Sequence, residues 1–283
     1  MDTGPGSAHA QEDRSSLSGH VVLVTGAAGG LGVSIASRLA AEGAHVVVSD
    51  SDVDACTSIV TNLTGGDALH TALPLDVCDD HDWHTVIDHI HTRYGALHGC
   101  VNHAVIDGLT PLDSDRRDRW DRIIALGQTG VWLGMKHAGE LIEHSGGGSI
   151  VNLCSIPGTV GGFGDSIAYH AVKGAIRAMT ENAALHWADK GIRVNSLHPG
   201  FSPTQRALNL HPSSSRHHTA SAHSPMGGFS IPAEPAAVVA FLLSDDSSHM
   251  TGSEIYANDG SDYALDMVPE RGFDRGRSPS GKH

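Results

Sequence analysis

Between residues 20 and 257 the chain repeats one pattern: a short β-branched or apolar run, then a helical stretch. The runs are His20–Thr25, Ala44–Ser49, Leu69–Val77, Leu97–Ala104, Ser149–Ser155, Ile192–Leu197 and Ser253–Ala257. Several of them, such as HVVLVT and AHVVVS, are apolar at consecutive positions, so both faces of those strands must be covered. Helices are expected over Val33–Glu42, Val53–Leu63, Asp79–Tyr94, Arg116–His144, Ile167–Lys190 and Ala233–Leu243. Strands buried on both faces and linked through helices form a parallel sheet, and right-handed crossovers wind it in both directions. The expectation is an α/β, single-domain, doubly wound parallel sheet over residues 19–265. Residues 1–18 and 266–283 are polar tails that bury too little surface to offset their ordering entropy.

Charge narrows the function. Thirty-two acidic residues against eighteen basic ones give a net charge of −14. That field opposes phosphate backbones and anionic lipid, so neither nucleic acid nor a membrane surface is an expected partner. No apolar run approaches the roughly 20 residues of a membrane-spanning helix. The N-terminus lacks the hydrophobic stretch of a secretion leader. Cys56, Cys78, Cys100 and Cys154 stand far apart without a Cys-x-x-Cys pair. Reduced thiols and a cytoplasmic location are therefore expected. Twenty-one histidines are unusual. However, His81/His84 and His89/His91 lack an H-E-x-x-H pattern or paired cysteines, so they read as surface imidazoles and no metal site is expected.

The first strand runs into Thr25-Gly-Ala-Ala-Gly-Gly-Leu-Gly32 and then into a helix. Glycine there permits a tight turn, and its missing Cβ lets a pyrophosphate approach the N–H groups at the helix start. Gly26, Gly30 and Gly32 follow G-x-x-x-G-x-G rather than the G-x-G-x-x-G spacing. The second strand leads to Asp50, whose carboxylate suits both hydroxyls of an adenosine ribose and repels a 2′-phosphate. Ala28 and Gly29 offer no basic side chain for that phosphate. Both features favour NAD over NADP. Asp52 is the alternative to Asp50, and otherwise caps the next helix. Asp76 is open between a helix cap and an adenine contact.

Four tyrosines and four lysines occur in the chain, and one of each falls in Tyr169-His-Ala-Val-Lys173. Four residues apart on a helix, they share a face. A phenol is a poor base at neutral pH, but a nearby ammonium favours its phenolate. Ser155 stands at the carboxyl end of a strand, where open α/β sheets place their ligand crevice.

This combination resembles the short-chain dehydrogenase/reductase family over about residues 19–261, particularly its NAD-dependent hydroxysteroid dehydrogenase and 3-oxoacyl reductase-like members. Thr25–Gly32 matches the family's T-G-x-x-x-G-x-G motif, Tyr169/Lys173 its Y-x-x-x-K pair, and Ser155 its serine. Asn195–Gly200 matches its P-G segment, and Asp259-Gly260 its terminal motif. The resemblance implies a Rossmann fold and hydride transfer between NAD and a small-molecule alcohol or ketone. In it Tyr169 exchanges the proton, Ser155 polarises the substrate oxygen, and Lys173 tunes Tyr169 and binds ribose. It also carries cofactor contacts to Thr25, Gly26, Gly30, Leu31, Gly32, Asp50, Asp76, Val77, Asn102, Ala104, Tyr169, Lys173, Pro199, Gly200 and Thr204. The helices over 116–144 and 167–190 pair across subunits in this family, which implies a homotetramer or homodimer.

Three positions depart from the family pattern. Asn102-His103-Ala104-Val105 replaces its N-N-A-G, and Ser261 replaces the second terminal glycine. Gly127 stands where the family has a catalytic asparagine that holds a relay water, leaving the space to a second water or to Gln128 after a bulge. A nucleotide-binding module with impaired redox activity is therefore the alternative function. The segment Gly200–Ile231 falls where the family has its substrate lid. It holds Arg206, Arg216 and His217-His218 between apolar flanks.

Overall fold

A computed structural model describes residues 16–104, 110, 112–155, 167–200, 225–227 and 230–260. Thr204, Val105, Ser261, the outer tails and most of the segment 200–231 lie outside the described residues. Seven parallel strands form one sheet: β1 (Val21–Thr25), β2 (His45–Asp50), β3 (Thr71–Pro74), β4 (Gly99–Asn102), β5 (Gly148–Leu153), β6 (Ile192–Pro199) and β7 (Glu254–Ala257). Their order across the sheet is β3-β2-β1-β4-β5-β6-β7, the doubly wound arrangement expected.

Alternation along each strand sends side chains to two separate cores. Leu23, Val47, Cys100, Ile150 and Val194 face one core. Over it pack α4 (Asp80–Tyr94), α5 (Arg117–Ile124), α6 (Gly130–His144) and α7 (Ile167–Trp187). Val22, Val24, Val48, Val101 and Leu197 face the other, beneath α1 (Gly30–Ala41), α2 (Val53–Asn62) and α8 (Ala233–Leu243). Each fully buried Ile or Leu in these layers, such as Ile35 or Ile142, contributes about 1.5–3 kcal/mol relative to exposure.

The structure corrects the expected boundaries at several places. Leu17, assigned to the N-terminal tail, is fully buried and its N–H donates to the Glu42 carbonyl. A single apolar side chain at the end of a polar segment was enough to dock there. Residues Leu69–Val77 are not one strand. A one-turn helix α3 (Gly66–Leu69) precedes β3, which stops at Pro74, so Asp76 lies beyond the strand. The expected helix over 116–144 is interrupted: a π-helical turn over Ala125–Thr129 separates α5 from α6. The four cysteines are all free.

Candidate active site

The Gly-rich turn lies at the carboxyl edge of the sheet, between β1 and β4, where the winding direction reverses. Thr25 is buried, and its hydroxyl donates to the Val101 carbonyl at 3.3 Å. The same oxygen accepts from the N–H groups of His103 (3.2 Å) and Ala104 (3.5 Å). Its side chain thus ties the turn to the end of β4. Gly26 has φ +62°, and a Cβ there would lie 2.6 Å from the Ala104 Cα. A Cβ at Gly32 would lie 2.7 Å from the Ala27 Cα. These two glycines let the turn close on itself and on β4. Gly29 caps α1 without a side chain, so the first turn, with Gly30 and Leu31, presents backbone amides to an anion.

Asp50 ends β2 beside that turn. Its carboxylate accepts from the Ala28 N–H at 3.2 Å, and from the Asp52 N–H and Ser51 hydroxyl at 3.2 Å each. Asp52 instead caps α2 by accepting from the Ala55 N–H. Of the two acids, Asp50 is the one against the turn, where neither Ala28 nor Gly29 brings a basic group. Asp76 accepts from the Cys78 N–H in an exposed turn, and α4 is capped by Asp79. Val77 packs against the start of α6, where a Cβ at Gly130 would meet its Cγ2 at 2.8 Å. Asn102 turns its amide inward: Nδ2 donates to Asn152 Oδ1 at 2.8 Å, and Asn152 in turn donates to the Thr180 hydroxyl. At the end of β6, Pro199 precedes Gly200, whose N–H donates to the Ala257 carbonyl at 2.8 Å.

Tyr169 and Lys173 share one face of α7, as their spacing requires. The Lys173 ammonium is almost wholly buried, and lies 5.5 Å from the centre of the Tyr169 ring. It donates to the Leu153 carbonyl at 2.8 Å, two residues before Ser155. The Cys154 thiol donates to the Lys173 carbonyl, drawing the end of β5 onto α7. Ser155 follows at once, half-buried.

Two histidines hold this edge in place. His198 is fully buried in β6; its Nδ1–H donates to the Ser155 carbonyl at 3.0 Å, while Nε2 accepts from the Ser196 hydroxyl. Burial holds its pKa below the usual histidine range, consistent with that neutral tautomer. Its ring stacks on Tyr256 with centroids 4.6 Å apart. His103 donates through Nδ1 to the Gly26 carbonyl at 3.0 Å. Burial pushes it down to about 4, and the Lys173 charge acts in the same direction. Burial raises the Cys56 and Cys100 thiols to about 12 and Cys78 to about 11, and raises Cys154 as well.

Gly127 lies in the π-helical turn, and a Cβ there would sit 2.4 Å from the Val172 Cγ1. The position a side chain at 127 would take is therefore occupied by Val172, the neighbour of Lys173, and the π-helical turn supplies a bulge at half-buried Gln128. The glycine is a packing requirement of this chain.

The geometry agrees with what known proteins share with it. A family model described as enoyl-(acyl carrier protein) reductase matches residues 26–262. The 2,5-dichloro-2,5-cyclohexadiene-1,4-diol dehydrogenase LinX of Sphingobium indicum is 35% identical over 246 residues, covering 86% of this chain and 96% of LinX. The 3-alpha-(or 20-beta)-hydroxysteroid dehydrogenase of Mycobacterium tuberculosis is 34% identical over 248 residues, covering 87% of this chain and 90% of that enzyme. Among solved structures, a gluconate 5-dehydrogenase from Burkholderia cenocepacia, in complex with NADP and tartrate, superposes with a TM-score of 0.83. It is 26% identical, and the match covers 91% of this chain and 99% of that one. The chain belongs to the short-chain dehydrogenase/reductase family, whose members are oxidoreductases acting on CH–OH groups.

Proposed function

We propose that this protein interconverts a secondary alcohol and a ketone with NAD as the hydride carrier and Tyr169 as general acid/base. The observation that carries the reading is the buried Lys173 ammonium, held between the Leu153 carbonyl and the Tyr169 ring at the mouth of the sheet. A buried cation there favours the phenolate, so Tyr169 takes the proton from a substrate hydroxyl, or returns it to a carbonyl oxygen. Ser155, its backbone fixed by His198, supplies the hydrogen bond that orients and polarises that oxygen. The dinucleotide supplies hydride acceptance and donation. Its pyrophosphate fits the first-turn amides of α1 at Gly30–Gly32, in a turn that a Cβ at Gly26 or Gly32 would deform against Ala104 or Ala27. Its adenosine ribose fits Asp50, whose negative charge supports NAD over the NADP bound by the gluconate 5-dehydrogenase.

The relatives' names point to ring alcohols as the substrate class, and the apolar flanks of 200–231 suit them. A panel of cyclic and steroidal secondary alcohols with NAD, followed at 340 nm, tests the proposal. Tyr169→Phe is expected to abolish turnover and leave NAD affinity unchanged; retained turnover refutes the role of Tyr169. No turnover by the unaltered protein on any substrate, despite NAD binding, favours the alternative of a nucleotide-binding module with impaired redox activity. The packing of Val172 at Gly127 is the observation behind that alternative. Exposed Trp132 on α6, which lines a cleft with Met135, Met179 and Trp187, and exposed Leu185 on α7 support assembly as a homodimer or homotetramer. Free thiols fit a cytoplasmic setting.

A further inference from the structure

We propose that Asp80, His84 and His137 form a binding site for one divalent cation of the zinc type, bridging α4 to α6. The three donor atoms lie within 4.8 Å of one another. Asp80 and His84 are one turn apart in the first turns of α4, and the His84 Nε2 is 3.3 Å from the Asp80 Oδ2. His137 reaches the same carboxylate from α6, with its Nε2 2.9 Å from Oδ1. Both imidazoles therefore aim Nε2 at one carboxylate, each at a different oxygen. Their rings meet edge-on, with centroids 4.6 Å apart.

The site is half rigid and half adaptable. His137 is only 3% exposed, and its ring lies parallel to Trp83 with an 8° interplanar angle, so its position is fixed by packing. Asp80 and His84 are 53% and 60% exposed, free to adjust at their side-chain torsions. A tetrahedral zinc ion needs its donors about 3.4 Å apart, a closure of up to about 1.4 Å from the present spread that such torsions supply. Two nitrogens and one carboxylate oxygen select zinc, cobalt, nickel or copper over magnesium and calcium. Three protein donors leave room for water, as bound zinc commonly retains. The competitor is the Lys136 ammonium, 3.2 Å from the Asp80 Oδ1. It is 42% exposed on a flexible stem and can withdraw toward the Trp132 ring, 5.7 Å from it.

The test is a calorimetric titration of tag-free full-length protein with zinc chloride, repeated with cobalt(II) under visible absorption. One saturable ion per chain is expected. His84→Ala, an exposed change that leaves the core intact, is expected to weaken binding at least 10- to 100-fold. Asp80→Asn is expected to do the same, and His89→Ala on the same helix to change nothing. Lys136→Ala is expected to bind zinc at least as tightly. Absence of saturable binding, or equal affinities for the unaltered protein, His84→Ala and Asp80→Asn, overturns the proposal. None of these readouts depends on the oxidoreductase reaction.

Discussion

Restoring a side chain at Gly127 tests why this chain lacks the asparagine its family carries there. In Gly127→Ala the new Cβ would lie 2.4 Å from Val172 Cγ1, 3.3 Å from its Cγ2 and 3.4 Å from its Cβ. Carbon atoms rest about 3.5–4.0 Å apart, so Val172 or its helix must retreat by about 1 Å. Overpacking of this kind costs about 1–3 kcal/mol. The helix-propensity gain of alanine over glycine offsets about 1 kcal/mol of it. Asparagine would bring the same Cβ and the same collision. Val172→Ala alone removes two buried methyl groups, a loss of about 1.6 kcal/mol before any cavity cost. In Gly127→Ala/Val172→Ala the added methyl occupies the vacated space, so the double variant should be more stable than the sum of the singles by about 1–3 kcal/mol. Urea unfolding of all four proteins measures this. Because Lys173 follows Val172, the single Gly127→Ala should also lower kcat, and the double variant should recover part of it. Additivity within about 0.5 kcal/mol refutes the packing account.

Other outcomes follow from the site. Asp50→Ala removes the carboxylate seated against the turn, and should raise KM for NAD about 10- to 100-fold, the worth of one charged hydrogen bond. KM for NADP should rise less or fall, and an unchanged KM for NAD rejects the ribose assignment. His103, held down to about 4, stays neutral in the folded chain at pH values where the unfolded chain is protonated. Its full stability is therefore present above about pH 6.5 and is lost as pH falls toward 4, by on the order of 3 kcal/mol. Urea midpoints of the unaltered protein and His103→Asn should diverge over that window, and parallel curves contradict it. His198→Leu strands the Ser155 carbonyl and the Ser196 hydroxyl, which should cost about 1–3 kcal/mol. It should lower kcat with the NAD affinity unchanged, and unaltered kcat would remove His198 from the support of Ser155.

Most of the fold was legible because consecutive apolar residues and helical periodicity are local signals. Strand β2 and helix α8 fall within a residue of their expected positions for that reason. The Gly-rich turn and the Tyr169/Lys173 pair were legible as motifs whose spacing is itself geometric. Leu17 was missed because one buried side chain has no periodicity. The π-helical turn at 125–129 falls at the bulge considered for Gln128, but the contact of Gly127 with Val172 was not legible because Val172 lies far along the chain. Asp80, His84 and His137 escaped for the same reason: His84 was read beside His81, its neighbour in sequence, when its partner across space was His137. Asn102 looked like a cofactor residue by its place in a motif, yet its amide is directed into the core at Asn152.

That amide pair has a consequence for the mouth of the sheet. Asn102 and Asn152 are opposite one another on β4 and β5, and each is buried on the same face. Sliding one strand by a single residue would turn one amide to the far layer and strand its partner in hydrocarbon, at about 1–3 kcal/mol per orphaned group. The pair acts as an alignment pin. Ser155, three residues beyond Asn152, has its height relative to the Gly-rich turn set in part by this pairing.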